Sequence, residues 1–176
     1  MKFPPPTLTT ERLILRALQT SDAADLHVAF SDAKVCKYWS HAAHTSLAQS
    51  QNRVDENIAW AESLTWAITK GEGQPALGWV ILFPGRNDGI AELGYILRRS
   101  AWGQGLVGEA AMAVVNYGFE VEGMRRIFAD MDPDNIGSIR IAEKCGMTYE
   151  GRLKANWDTH IGVRDSLIYG RVELAD

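Results

Sequence analysis

The sequence predicts a single α/β domain, in which a mixed sheet carries helices on its faces. Its 176 residues are enough for one buried core. Short apolar runs typical of strands alternate along the chain with segments of helical periodicity. Two breaks with turn chemistry, GEGQP and PGRNDG, separate three of these runs and favour an antiparallel meander. The predicted order is β-α-α-β-β-β-α-β-α-β-β, about seven strands in all.

The first third of the chain is predicted to hold one strand and two helices. Residues 1–10 form an extended arm, because three consecutive prolines exclude a helix. A strand follows over residues 13–18, and residues 20–22 (Thr-Ser-Asp) offer N-caps for the first helix. A second helix is expected after Thr45. Its apolar stripe is predicted to consist of Leu47, Val54, Ile58 and Ala61.

The remainder of the chain supplies the other strands and helices. After the glycine-rich stretch a helix is predicted to run to about Val121, and a later one ends at Gly146, a residue suited to the C′ position. That later helix covers Asn135 to Cys145 and is capped by Asp134 or Asn135. The predicted strands are Leu64–Thr69, Ala76–Phe83, Ile90–Arg98, Arg125–Met131, Met147–Lys154 and Gly162–Leu174, the last two flanking the sequence NWDTH.

Composition narrows the function classes. The formal net charge of −4 argues against a nucleic-acid-binding protein, which normally needs a basic face, and slightly favours a cationic acceptor. No apolar run reaches the length of a membrane-spanning helix. Cys36 and Cys145 fit no motif and are expected to be reduced thiols. The sequence therefore predicts a cytoplasmic protein without a membrane or nucleic-acid partner.

Three glycines mark the most informative stretch of the chain. Gly103, Gly105 and Gly108 lie where the strand ending near Arg98 turns into a helix rich in Ala, Val and Met. A helix N-terminus carries unpaired N–H groups and a partial positive charge. Because glycines leave the backbone bare, a phosphate or pyrophosphate can approach these amides closely. The stretch is predicted to bind the phosphates of a nucleotide or cofactor.

One interpretation of these glycines is a dinucleotide-binding fold. Gly103, Gly105 and Gly108 match G-x-G-x-x-G, and Asp130 lies about 20 residues further on, where a ribose-binding acid is expected. Residues 98–102, however, separate the strand from the first glycine, and too little chain follows Asp132 for the second half of such a fold. An NAD(P)-binding oxidoreductase is therefore the least favoured of the three functions considered for this chain.

Another interpretation rests on a resemblance to a known family. Residues 96–110, ILRRSAWGQGLVGEA, resemble the acyl-CoA-binding motif Q/R-x-x-G-x-G/A of the GNAT N-acetyltransferases, with Val107 where Gly or Ala is usual. The closest similarity is to the subgroup that acetylates ribosomal-protein N-termini. Residues 134–147 are similar to its N-x-x-S-x-x-x-x-E-K-x-G-F segment, and residues 10–16, TERLILR, are also typical of it.

The resemblance implies a GNAT fold that binds acetyl-CoA. Its sheet is mostly antiparallel and splays between the fourth and fifth strands, here Ile90–Arg98 and Arg125–Met131. Backbone groups of Ile96, Leu97 and Arg98 would pair with the pantetheine arm, and Asn135 and Lys144 would lie along the cofactor. The pyrophosphate would be held by the amides of Gln104, Gly105, Leu106, Val107 and Gly108.

The resemblance also implies direct attack of a primary amine on the thioester. Such a reaction needs a base and an acid, and Glu92 is the predicted base, with pairing to an arginine as its alternative. Ala142 occupies the position where many members of the family carry a tyrosine acid. Ser138 is the replacement candidate and Tyr169 a weaker one. The alternative for Ser138 is a capping role with Asn135 at the start of its helix.

The acceptor is expected to be a small-molecule or peptide amine. It would be recognised by residues 31–62 and 155–161, with Trp39 and His41 as the candidate contacts. His41 and His44 lack further ligands in sequence, so no metal is predicted. A protein N-terminus, an amino acid, a polyamine and an amine-bearing antibiotic remain open, as does a monomer or homodimer. The second alternative is a non-catalytic acyl-CoA-binding module.

Overall fold

A computed structural model describes residues 1–173 and contains eight strands and four α-helices. The strands are β1 (Leu8–Thr9), β2 (Ile14–Ala17), β3 (Leu64–Thr69), β4 (Gly78–Pro84), β5 (Ile90–Leu97), β6 (Arg126–Met131), β7 (Thr148–Thr159) and β8 (Gly162–Val172). The helices are α1 (Ala23–Phe30), α2 (Leu47–Ala59), α3 (Leu106–Glu120) and α4 (Ile136–Lys144). The order of elements is as predicted, with one strand more.

All eight strands form one sheet in the order β1-β2-β3-β4-β5-β6-β8-β7. Every neighbouring pair is antiparallel except β5 and β6, which are parallel. The predicted mixed, mostly antiparallel sheet is confirmed. A dinucleotide-binding fold needs a largely parallel sheet, so the oxidoreductase alternative is wrong. The additional strand is β1, by which the predicted arm pairs with β2.

The sheet has an apolar core on each face. One core packs α3 and α4 against residues such as Leu82, Leu93 and Ile127. α3 lies close to the sheet because Gly118 has no side chain: a Cβ there would lie 2.6 Å from Ile127 Cδ1. The other core packs α1 and α2 on the opposite face and includes Phe30 and Trp79. Helices therefore cover both faces, as predicted.

Helix ends agree with the predicted caps better than helix faces do. Asn135 caps α4, and Gly146 follows it with φ of 76°. α2 begins with a capping box in which Ser46 and Gln49 bond each other's backbone N–H. The predicted stripe of α2 is wrong at both ends: Leu47 is 49% exposed, and Ala61 lies beyond the last helical residue, Ala59.

The closing hairpin is longer than predicted. β7 continues to Thr159, so most of the predicted NWDTH connection is strand, and only a two-residue turn separates it from β8. The predicted end of the last strand, Leu174, lies outside the described residues. Within residues 1–173, none of the helices has the length and apolar character required to cross a lipid bilayer.

Candidate active site

β5 and β6 separate after only three paired positions. β6 then follows β8 as far as Met131, while β5 follows β4 as far as Leu97. Each strand thus stays with its outer neighbour, and a gap opens between them from Leu93 onward. The splay therefore lies between the two strands for which it was predicted. The three pairs that close its narrow end are Ile90 with Arg126, Ala91 with Ile127, and Glu92 with Phe128.

Two cavities meet at this gap. One, of about 660 Å³, extends to the N-terminal ends of α3 and α4; we call it the glycine-loop cavity. The other, of about 420 Å³, is bounded by α2, β4, β5, β6 and the β7–β8 hairpin; we call it the carboxylate cavity. The residues that line both cavities are Tyr38, Trp39, Tyr95, Asn135 and Ser138.

The glycine loop brings bare backbone to the first cavity. Gly103 and Gly105 both have φ of +74°, a left-handed conformation that side chains rarely adopt. Gly105 is the N-cap of α3 and provides no side-chain cap, so the first N–H groups of the helix lack an intrahelical acceptor. Of the residues predicted to hold the pyrophosphate, those that line this cavity are Gly105, Leu106, Val107 and Gly108.

Basic side chains hold the loop from outside. Arg12 Nη1 donates to the Gln104 carbonyl at 2.8 Å, and Arg12 Nη2 lies 2.6 Å from Glu109 Oε2 on α3. Lys70 Nζ donates to Gln104 Oε1 at 3.2 Å. Gln104 is therefore turned toward Arg12 and Lys70 and is not among the residues that line the cavity.

The predicted backbone contacts along β5 are only partly brought to the cavity. The Arg98 N–H donates to the Leu77 carbonyl at 2.8 Å, and its side chain bonds the Ala76 carbonyl. Arg98 does not line either cavity. Because backbone groups alternate along a strand, those of Ile96 also face β4, whereas Leu97 and Tyr95 face the gap. Ile96 and Leu97 both line the glycine-loop cavity, and the pairing of Ile96 and Arg98 with the pantetheine arm stays a prediction.

At the start of α4, Asn135 caps the helix by accepting a hydrogen bond from the Ser138 N–H. Asn135 Oδ1 accepts from the Ser138 N–H at 3.3 Å, so the predicted capping role of Ser138 is present. The Ser138 carbonyl in turn accepts from the Tyr95 hydroxyl at 3.3 Å, and burial strongly raises the pKa of this tyrosine. Ser138 is thereby held at the junction of the cavities by its backbone alone.

Further along α4, Lys144 reaches the glycine loop while Ala142 does not. Lys144 lines the first cavity, and its Cδ lies 3.6 Å from the position of a Cβ on Gly108. Ala142 is 1% exposed in the apolar core. Tyr169 is also in the core, packed edge-on against Tyr149, and lines neither cavity. The structure therefore does not bring Tyr169 to the gap.

Glu92 lies at the closed end of the gap and lines the carboxylate cavity. It has no ion pair among residues 1–173, so the expected alternative of pairing to an arginine is wrong. Burial and the negative charge of Asp130 raise the pKa of Glu92 to about 7. A carboxyl with this pKa accepts a proton near neutral pH.

Aromatic side chains form much of the wall of the carboxylate cavity. Trp39 lines both cavities and packs on Trp79, with ring centroids 6.4 Å apart. His41 lines neither: it contacts the Trp39 ring at 5.0 Å and stacks on His44. Across the described part of the chain, no group of three or more His, Cys, Asp or Glu is arranged to hold a metal ion.

Tyr95 was not predicted from the sequence, and neither was the strand conformation of the segment by which β7 reaches the carboxylate cavity. Tyr95 lies an odd number of residues from Glu92 and Ile96, so its side chain points to the face of the sheet that carries α4, while its backbone groups face the gap. Trp157 and Thr159 line the carboxylate cavity from β7, within the segment 155–161 that was expected to contact the acceptor. Asp130 was considered only as a ribose-binding acid.

Comparison with known proteins identifies the family. The family model described as "Acetyltransferase (GNAT) domain" matches residues 12–148. The uncharacterized N-acetyltransferase p20 of Bacillus licheniformis is 30% identical over 152 residues, which cover 84% of this chain and 85% of that protein.

Solved structures share the fold. A GNAT-family acetyltransferase from Bacillus anthracis superposes with a TM-score of 0.87 at 25% identity, over 94% of this chain and 98% of that one. The microcin C7 self-immunity acetyltransferase MccE, solved in complex with acetyl-CoA and AMP, superposes with a TM-score of 0.81 at 20% identity, over 93% and 94%. With the splayed sheet and the matched domain, the chain belongs to the GNAT family of N-acetyltransferases.

Proposed function

We propose that this enzyme transfers the acetyl group of acetyl-CoA directly to a primary amine. The observation that carries the proposal is the gap between β5 and β6, which joins a glycine loop at one side to a partly buried carboxyl, Glu92, at the other. A cofactor with phosphates at one end and a thioester at the other would extend from the glycine loop to Glu92. The acetyl-CoA bound to MccE, a protein of the same fold, supports this choice of co-substrate.

In the proposed complex the pyrophosphate binds the amides at the start of α3. Lys144 and Arg140, which line the same cavity, supply positive charge beside the dipole of the helix. The pantetheine arm then extends beside β5 and pairs with the outward backbone groups of Tyr95 and Leu97, as an added strand would. At Leu97 the group for this pairing is the N–H, because the Leu97 carbonyl already accepts from the Trp102 indole N–H at 2.8 Å.

The proposed chemistry needs one base and one acid. An alkyl ammonium has a pKa of about 10.4, so the acceptor arrives protonated. Glu92 takes one proton, and the neutral nitrogen attacks the thioester carbonyl to form the C–N bond of a tetrahedral intermediate. As this intermediate collapses, the C–S bond breaks, the acid protonates the departing thiolate, and the nitrogen gives its second proton back to the acid. A backbone N–H on the open edge of β5 stabilises the intermediate oxyanion.

Ser138 is the proposed proton donor to the thiolate. It lines both cavities, while its own N–H and carbonyl are occupied by Asn135 and Tyr95. Tyr95 is a positioning residue in this proposal, since its hydroxyl hydrogen is already donated to Ser138. The buried Ala142 leaves no side chain to perform the same task from the family's usual position.

Calorimetric titration with acetyl-CoA, followed by a thiol-release assay over mixed primary amines, tests this function. The expected result is saturable acetyl-CoA binding and release that depends on added amine. Acetyl-CoA binding without release from any amine would contradict acetyl transfer and favour the acyl-CoA-binding module. Absence of acetyl-CoA binding would overturn the proposal entirely. Membership of the ribosomal-protein subgroup and a cytoplasmic location stay predictions.

A further inference from the structure

Asp130 is a carboxylate of the acceptor side that has no cationic partner. Its Oδ2 accepts from Trp157 Nε1 at 3.0 Å and from Asn156 Nδ2 at 3.3 Å. Both donors are neutral. Within residues 1–173 no lysine, arginine or histidine lies within ion-pairing distance of Asp130. Two hydrogen bonds thus fix the position of the Asp130 carboxylate, while no positive charge in the described part of the chain balances its negative charge.

Other carboxylates of the same cavity differ from Asp130 in this respect. Asp132 accepts from Arg164 Nε at 2.7 Å, and Asp165 accepts from Arg152 Nε at 2.7 Å. These are ordinary ion pairs that need no ligand. Asp130 is the exception, together with Glu92.

Asp130 and Glu92 lie on the same face of the sheet. Glu92 is opposite Phe128, and Asp130 is two residues beyond Phe128 on the neighbouring strand, so their side chains point to one side. The negative charge of Asp130 raises the pKa of Glu92, which indicates that the two carboxyls interact. Two uncompensated carboxyls in a partly buried cavity attract one positive charge.

A bulge in β7 carries the donors to Asp130. Leu153 pairs with Ser166 and Trp157 with Arg164, so β7 has extra residues between these pairs. Ala155 at its centre has φ of +50°, an unfavourable conformation for a residue with a side chain. Its N–H is fixed by Asp165 Oδ1 at 2.8 Å. Local strain kept beside a cavity is typical of functional sites.

We propose that Asp130 binds the ammonium group of the acceptor, which docks between Asp130 and Glu92 with its carbon chain against Trp39, Trp79 and Trp157. The acceptor is therefore an aliphatic amine, charged when it binds, and not an arylamine, which is neutral near pH 7. This inference rests on the proposed function and specifies its acceptor. Asp130 holds the ammonium group, while Glu92 removes the proton that the attack requires.

The cavity walls fit such a ligand. Tryptophan faces attract cations and also cover the methylene groups next to them. Trp157 contributes to this wall and donates to Asp130 from the same ring. Direct binding of the ammonium would also help catalysis, because the added positive charge favours ionised Glu92 before the proton moves.

Binding of n-hexylammonium to the protein saturated with CoA tests the inference, with tryptophan fluorescence as the readout. We expect Asp130→Asn to weaken n-hexylammonium binding about tenfold, as loss of one charge-assisted hydrogen bond does. The neutral analogue 1-hexanol should bind more weakly and equally to both proteins. Asp88→Asn, an exposed change of the same charge, is the matched control and should leave both affinities unchanged.

The pH profile separates an electrostatic role of Asp130 beside Glu92 from a merely structural role, and complements the binding measurement. The side-chain amide oxygen introduced by Asp130→Asn would still accept from Trp157 and Asn156. A merely structural role of Asp130 therefore predicts no change in the pH profile of kcat/KM. The inference predicts that the acidic limb of kcat/KM moves to lower pH in Asp130→Asn, because Glu92 loses a negative neighbour. The other charged groups lining the cavity are unaltered in this variant: Arg53, Glu56, Asp132, Arg164 and Asp165.

Equal affinity of wild type and Asp130→Asn for n-hexylammonium, or equal affinity of wild type for n-hexylammonium and 1-hexanol, would overturn the inference. An arylamine used as efficiently as n-hexylamine would do the same. Failure of the proposed function gives a different pattern, since no amine then causes thiol release from acetyl-CoA, whether or not acetyl-CoA binds. The ammonium-binding measurement uses CoA-saturated protein only after acetyl-CoA binding has been established, so the two failures are distinguishable.

Discussion

The two cavities that meet between β5 and β6 differ in which groups line them: mainly backbone in one and side chains in the other. The glycine-loop cavity presents backbone from one continuous stretch, residues 103–108, and its charges come from a helix end and a few long basic side chains. The carboxylate cavity is built from side chains of α2, β4, β5, β6, β7 and β8. A backbone site tolerates many side chains but few changes of conformation. A side-chain site depends on each residue separately, which is how relatives of one fold can accept different substrates.

The largest expected effect comes from closing the backbone site. Gly105→Glu should abolish acetyl-CoA binding, a loss of more than about a hundredfold, because the new carboxylate occupies and repels the phosphate position. Calorimetric titration measures the change. The control is Gly123→Glu, which has a similar left-handed φ of +65° and open space around it, but lies away from both cavities. Near-wild-type affinity in Gly105→Glu would contradict the proposed phosphate site.

In the side-chain cavity, Glu92→Gln is expected to have the next largest effect. Loss of the base should lower kcat about 10²–10³-fold while leaving acetyl-CoA affinity unchanged. In the wild type, kcat/KM should rise with pH and level off above an apparent pKa of about 7, because only ionised Glu92 accepts the proton. Steady-state kinetics between about pH 5.5 and 9 measures both. Unchanged turnover in the variant at every pH would remove Glu92 as the base.

A smaller effect is expected at the junction between the cavities. Ser138→Ala should lower kcat about tenfold or more if its hydroxyl protonates the thiolate. Tyr95→Phe should have a weaker effect, since it removes only the hydrogen bond that holds the Ser138 carbonyl. Replacing acetyl-CoA with an acyl donor whose thiol leaving group is more acidic should reduce the Ser138→Ala defect. An undiminished defect with that donor would assign Ser138 to capping alone.

A further expected effect concerns stability and distinguishes the partly buried carboxyl of Glu92 from its neighbours. The pKa of Glu92 is about 7 in the folded state and near 4.5 when unfolded, so folding favours its protonated form. Ionisation of Glu92 therefore does not lower the free energy of unfolding below pH 4.5. It lowers this free energy progressively as the pH rises from 4.5 to 7, and the loss stays constant above pH 7. Glu92→Gln should stabilise the fold by up to about 3 kcal/mol near pH 8 and negligibly near pH 4. Urea unfolding at both pH values measures this; equal stability changes would contradict the raised pKa.

The contrast between the cavities also explains what the sequence could predict. Gly103, Gly105 and Gly108 are close together in sequence, and their conformational requirement can be recognised without knowing the fold. The capping residues Asn135 and Gly146 are local signals of the same kind, and both were predicted correctly. The splay was expected only through the family resemblance, since it depends on where the pairing of β5 and β6 ends.

The carboxylate cavity was not predictable in the same way. Asp130 approaches Glu92 because of the parallel register between β5 and β6, and Trp157 approaches Asp130 because of a bulge in β7. Neither register nor bulge is marked by an unusual residue: Ala155 adopts a positive φ where glycine would have been expected. His41 and Tyr169 were chosen for residue type and local pattern, and the tertiary structure places both away from the cavities.

The most direct test of the central claim is thiol release from acetyl-CoA with and without n-hexylamine, measured near pH 8 for wild type, Gly105→Glu and Gly123→Glu. We expect amine-dependent release by wild type and Gly123→Glu, and none above background by Gly105→Glu. Release that is independent of amine, or equal in the two glycine variants, would contradict a GNAT acetyl transfer that runs from the glycine loop to the carboxylate cavity.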